Sequence, residues 1–193
     1  MMGDQNESIE IRVDKISQLF DSLDPFPFRE RDLDSHAEEY IVGWARELPN
    51  DKPIRIVIHV PASELKSEHA KELNDSLHRY FEYRAAVIGR ELKQLFSIGR
   101  KSALIGAAVL AICILGAQVV PKTLGTGNIS IYLRENLYIL GWVANWKPLE
   151  IFLYDWWPIA KRRNLYRRLS GANVQLKAAE TASRQPSEVA PYR

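Results

Sequence analysis

The chain has 193 residues, 46% of them hydrophobic, and a net charge of +2, but the apolar residues are spread too unevenly for a single soluble core. Residues 1–60 hold thirteen Asp and Glu against seven Lys and Arg, and residues 161–193 hold eight Lys and Arg against two Glu. Near neutrality thus conceals an acidic front and a basic back, while the single cysteine, Cys113, excludes an internal disulfide and a cysteine metal cluster.

The opening MMGDQNESIE has neither a positive n-region nor an apolar h-region, so no cleaved signal peptide is expected. SIEIRV follows, with Ile9, Ile11 and Val13 alternating against charged neighbours, the period-two pattern of a half-buried strand. A second strand is expected at IRIVIHV, residues 54–60, and the spacing between the two predicts a right-handed βαβ crossover. Its helix should run through DLDSHAEEYIVGWAREL, with Leu33, Ala37, Tyr40, Ile41, Trp44 and Leu48 at helical spacing and Ser35 with Glu38 as a capping box.

Before that helix, DPFPFRERDLDSH crowds Asp24, Glu30, Asp32, Asp34 and His36 into one loop. Carboxylates beside a histidine can bind a metal or move protons. Acidic residues ahead of a helix also complement its dipole and accept from its free NH groups, and this capping role is the preferred reading. Phe26 and Phe28 are expected to plug the loop onto the core. His59 reads as a structural hydrogen-bonding residue, and His69 with Glu72 and Asp75 with His78 as helix-surface pairs. The GTG at 125–127 is a turn signal, and no HExxH, phosphate loop, nucleophile elbow or dinucleotide fingerprint occurs. No catalytic, metal or cofactor residue is therefore assigned.

From about Ser63 to Gly99 no proline intervenes, which gives on the order of 55 Å of helix, and Leu73, Leu77, Phe81, Ile88, Leu92 and Leu95 form a stripe along it. ALIGAAVLAICILGAQVV, residues 103–120, gives about 27 Å of apolar helix, flanked by Arg100 and Lys101 and closed by Pro121. A second crossing is expected through 131–148, with Arg134 and Glu135 at the far interface and Asn145, Trp146 and Lys147 at the near one. The alternative register, Leu137 to Tyr154, would bury Asn145, Lys147 and Glu150 as a polar membrane site, and the first is preferred because it needs no uncompensated charge. LEIFLYDWWP then reads as an interfacial segment anchored by Trp156 and Trp157. Lys161, Arg162, Arg163, Arg167 and Arg168 follow, a basic set for anionic headgroups that by the positive-inside rule keeps both termini cytoplasmic; nucleic acid is the weaker reading. The tail from Gly171 is polar and expected to be disordered.

ISQLFDSLDPFPFRERDLDSHAEEYIVGWARELP, IVIHVP and ILGWVANWKPLEIFLYDWWP together resemble an uncharacterised group of bacterial integral membrane proteins. The resemblance implies a bacterial inner-membrane location and carries no activity, ligand or site residue.

The expected architecture is α+β: a cytoplasmic βαβ module (1–61), a long amphipathic helix (62–101), a two-helix transmembrane hairpin with a Trp-rich interfacial segment (102–158), a basic juxtamembrane segment (159–170) and a tail (171–193). The function expected of it is a multi-pass scaffold or accessory subunit that binds a membrane protein partner or forms a homo-oligomer. The alternatives are a channel or transport subunit using Asn145, Lys147 and Glu150, and a membrane-associated enzyme using the loop at 24–36.

Overall fold

A computed structural model describes residues 8–49 and 52–179. The chain divides into two compact units, one formed by its two ends and one by residues 83–166.

The first unit holds a three-stranded sheet, β1 (Ser8–Arg12), β2 (Arg55–Val60) and β3 (Asn173–Ala178), with β2 central and both pairings parallel. Ile9 aligns with Ile56 and Val174, and Ile11 with Ile58 and Leu176, so one face of the sheet is apolar across all three strands. Ile56, Val57, Ile58 and Val60 are all buried, as a central parallel strand requires. The expected βαβ crossover is present, its helix α1 running Ser35–Glu47. Asp34, rather than a Ser35–Glu38 box, caps it: its Oδ1 accepts from the backbone NH of His36 at 2.9 Å and of Ala37 at 3.4 Å. Glu38 instead accepts from the Tyr80 hydroxyl at 2.6 Å. Ile41, Val42 and Ala45 face the core, whereas Tyr40 and Trp44 remain exposed.

Two features of the expected architecture are corrected. The chain is mostly helical, and its sheet has a third strand inside the expected disordered tail, of which residues 180–193 lie outside the described region. Val174 and Leu176 alternate with polar residues and fill the edge that two strands would have left open beside β2.

The second correction concerns the transmembrane hairpin. Helix α2 runs unbroken from Glu68 to Leu124 and is the one helix, among the described residues, long and apolar enough to cross a membrane. Pro121 lies inside its last turn instead of ending it. The C-terminal helices do not form a second span. Helix α3 covers only Asn128–Val143, and the chain then passes through α4 (Trp146–Glu150), a π turn (Ile151–Asp155) and α5 (Trp156–Ser170). Between Asn136 and Lys147 lie ten residues, nine of them apolar or nearly apolar and the other Asn145, about 15 Å of helix against a hydrocarbon core of about 30 Å. Within the second unit this return arm lies antiparallel to residues 83–124 of α2, with Ile151 against Gly99, Asn145 against Gly106 and Leu137 against Gly116.

Candidate functional site at the break in the return arm

The return arm breaks where α3 loses its hydrogen-bond ladder. The backbone NH of Asn145 donates to Trp142 O at 3.0 Å, a tighter turn that leaves the Gly141 carbonyl without its usual i+4 donor. The Asn145 side chain fills that role, its amide donating to Gly141 O at 2.9 Å and across to Gly106 O on α2 at 3.1 Å. A Cβ on Gly106 would stand 2.7 Å from Asn145 Oδ1 and 2.9 Å from the Ala144 carbonyl, so this approach requires glycine. Asn145 is a structural tie between two helices.

Beyond it, Lys147 Nζ lies 3.0 Å from Glu150 Oε2 and 3.5 Å from Asp155 Oδ2. The Lys147–Glu150 pair follows from their i,i+3 spacing. Asp155 was not singled out from the sequence because eight residues of α-helix would carry it off the Lys147 face. The π turn takes more residues per turn and swings it back into line. The cluster is open to its surroundings and carries one excess negative charge. Beside the break lies an apolar cavity of about 300 Å³ lined by Ala103, Leu110, Trp142, Asn145, Pro148, Leu149 and Phe152. Its one polar residue already has two acceptors, so the cavity suits an apolar group rather than bond-making chemistry.

The expected interfacial residues divide into two sets. Trp146 and Trp157 are strongly exposed, and Lys161 and Arg167 are exposed on α5. Trp156 turns inward, donating its indole NH to Phe152 O at 2.9 Å. Arg162 pairs with Glu91, and Arg163 lies along Gly89 with its Nε buried. Arg168 donates to the carbonyls of Pro49 at 2.6 Å and Lys52 at 3.1 Å, fastening the loop before β2.

In the first unit the acidic loop is a hydrogen-bonding scaffold. Asp24 accepts from the backbone NH of Asp32 at 2.7 Å and of Phe26 at 3.0 Å, and these two bonds, aided by Arg31, hold its pKa below the ordinary 3.8. Asp21 accepts from Leu23 NH at 2.8 Å. Phe28 packs on Phe20 and His69, while Phe26 is left exposed. His59 faces Glu10 at 3.6 Å, and His78 bonds the Ala172 carbonyl at 3.1 Å rather than Asp75. Among the described residues no three His, Cys, Asp or Glu side chains converge as metal ligands.

Helix α1 supplies a surface that the sequence did not single out. His36, Glu39, Tyr40, Gly43, Trp44 and Glu47 line an open groove of about 510 Å³, with Tyr40 steadied by a 3.1 Å bond from its hydroxyl to Glu10 O. Tyr40 and Trp44 stand in the helical stripe read from the sequence, a pattern that does not tell which of its members face outward. Compared with known proteins, the chain matches no family model, no curated protein and no solved structure.

Proposed function

We propose that this chain is a membrane-embedded scaffold or accessory subunit, with the second unit in lipid and the first presenting an interaction module to a protein partner or another copy. One observation carries the reading: most of the large apolar side chains left exposed fall between Leu104 and Trp157. A soluble protein rarely leaves so continuous an apolar surface uncovered. The apolar part of α2 is also poorly buried, with 22% of its best span-length window inside the protein.

The reading puts the chain in the bacterial cytoplasmic membrane with both ends on the cytoplasmic side, α2 and the shorter return arm entering and leaving the apolar layer from that one side. The pairing of β2 with β1 before the apolar helix and with β3 after it supports a common side for those ends. Lys161 and Arg167, exposed on α5, are the cations offered to anionic headgroups. The groove on α1, aromatic with acidic flanks, is the surface offered to a protein.

The test is alkaline carbonate extraction of native membranes, followed by the mass and composition of the particle released by mild detergent. Retention in the pellet and a particle heavier than one chain are expected. Release by carbonate overturns the membrane reading, and a lone monomer overturns the scaffold reading.

A further inference from the structure

We infer that the apolar cavity at the break in the return arm holds one acyl chain of an anionic phospholipid from the cytoplasmic leaflet, whose phosphate sits on Arg100. The inference rests on the reading that the second unit lies in lipid. The cavity belongs wholly to that unit, with Ala103 and Leu110 of α2 on one side and Trp142, Leu149 and Phe152 of the return arm on the other. None of its lining residues is charged, and the side-chain amide of Asn145 is committed to the Gly106 and Gly141 carbonyls. At about 300 Å³ it is about twice the size of a cavity that takes up benzene, which leaves room for about a dozen carbon atoms. Trp142, Leu149 and Phe152 are exposed, so the space opens outward and a chain can enter from the surrounding lipid.

The position of the cavity along α2 selects its occupant. Ala103 is the first residue of the apolar run 103–120, and Leu110 lies about 10 Å further along the helix. The cavity therefore occupies the cytoplasmic half of the apolar layer. Its floor on that side is Phe96 stacked on Phe152, with ring centroids 6.1 Å apart. Arg100 stands between floor and cavity, four residues after Phe96 and three before Ala103, and is a neighbour of both on the helix surface. It is exposed and has no ion partner among the described residues. A guanidinium grips a phosphate through two parallel hydrogen bonds, and about 4.5 Å of helix separates that grip from the level at which the cavity begins. Lys101, exposed about 100° further round α2, adds positive potential at the same level and disfavours a headgroup that carries an ammonium. A protein side chain has no use for a cation on the rim, whereas a phospholipid supplies the apolar chain and the anion in one molecule.

The experiment titrates the full chain, stripped of lipid in mild detergent, with phosphatidylglycerol brominated at mid-chain, and reads the quenching of tryptophan fluorescence. Quenching is expected to saturate at a single lipid for each chain and to fall sharply in Trp142→Phe. Phosphatidylcholine with the same chains should bind several-fold more weakly. Arg100→Gln should weaken phosphatidylglycerol binding several-fold and Lys101→Gln much less, while Ala103→Phe, which fills the cavity, should abolish saturation. Quenching that never saturates, equal binding of the two headgroups, equal effects of the Arg100 and Lys101 substitutions, or unchanged binding by a folded Ala103→Phe overturns the inference and leaves the membrane reading intact. Arg100 is exposed, so its variant decides the matter even where Ala103→Phe fails to fold. Release of the chain from native membranes by carbonate removes the membrane reading and the inference together.

Discussion

Single residues decide whether the break in the return arm holds. Gly106→Ala brings a methyl group within 2.9 Å of a backbone carbonyl, so Ala144 and Asn145 have to move. We expect overpacking to cost about 1–3 kcal/mol, read as a lower detergent melting temperature. Asn145→Leu keeps the volume but leaves the Gly141 carbonyl without its donor. A loss of about 1 kcal/mol is expected by the same measurement, in keeping with inter-helix hydrogen bonds in apolar surroundings. Asp24 gives a pH signature. Its folded pKa is depressed below 3.8, so its stabilising contribution is present above that value and disappears as pH falls through the lower folded one. Chemical denaturation from pH 6 down to pH 2, on the order of that acid range, should show Asp24→Asn less stable than the parent at the upper end. The two should converge at the lower end; a constant difference would disprove the account.

At the scale of elements, α1 and β3 show what a pattern in sequence conveys and what it omits. The helical spacing of Tyr40, Ile41 and Trp44 revealed a helix, but only Ile41 of the three is in the core. Periodicity identifies a stripe without saying which neighbour covers which edge of it. Trp44→Ala should therefore change stability by no more than about 0.5 kcal/mol, the usual range for exposed sites. It should also remove protein subunits that copurify through the α1 groove, and their undiminished recovery would relocate the interaction surface. In β3 the whole apolar signal is Val174 and Leu176, too short to separate from a polar tail until β2 supplies the partner face. The central strand and the apolar part of α2 were legible because each is a long, uniform run. The return arm was misread because nine apolar residues beside further aromatics resemble a span, and the interruptions at Asn145 and the π turn depend on contacts with α2.

At the scale of the molecule, the two ends of the chain make one sheet while the apolar unit is inserted between them. Leu176→Asp places a charge on the apolar sheet face opposite Ile58. We expect limited proteolysis to cut this variant faster in the first unit, with residues 83–166 surviving and, on the membrane reading, staying in the membrane pellet. Loss of both together would show that the units fold as one. The polar membrane site envisaged from sequence is divided by the structure: Asn145 joins helices, and Lys147 and Glu150 gain Asp155 in an open charge cluster.

The late position of β3 also has a consequence for biogenesis. The strand is synthesised after every apolar segment of the chain, yet it pairs directly with β2, which is made before them. On the membrane reading, a nascent chain whose apolar helix enters without its C-terminal end returning to the starting side cannot bring β3 to β2. Such a chain keeps a hydrophobic strand at an open edge, a form that proteases and chaperones recognise. On that reading the last strand would act as a checkpoint on insertion, closing only on molecules whose topology is correct.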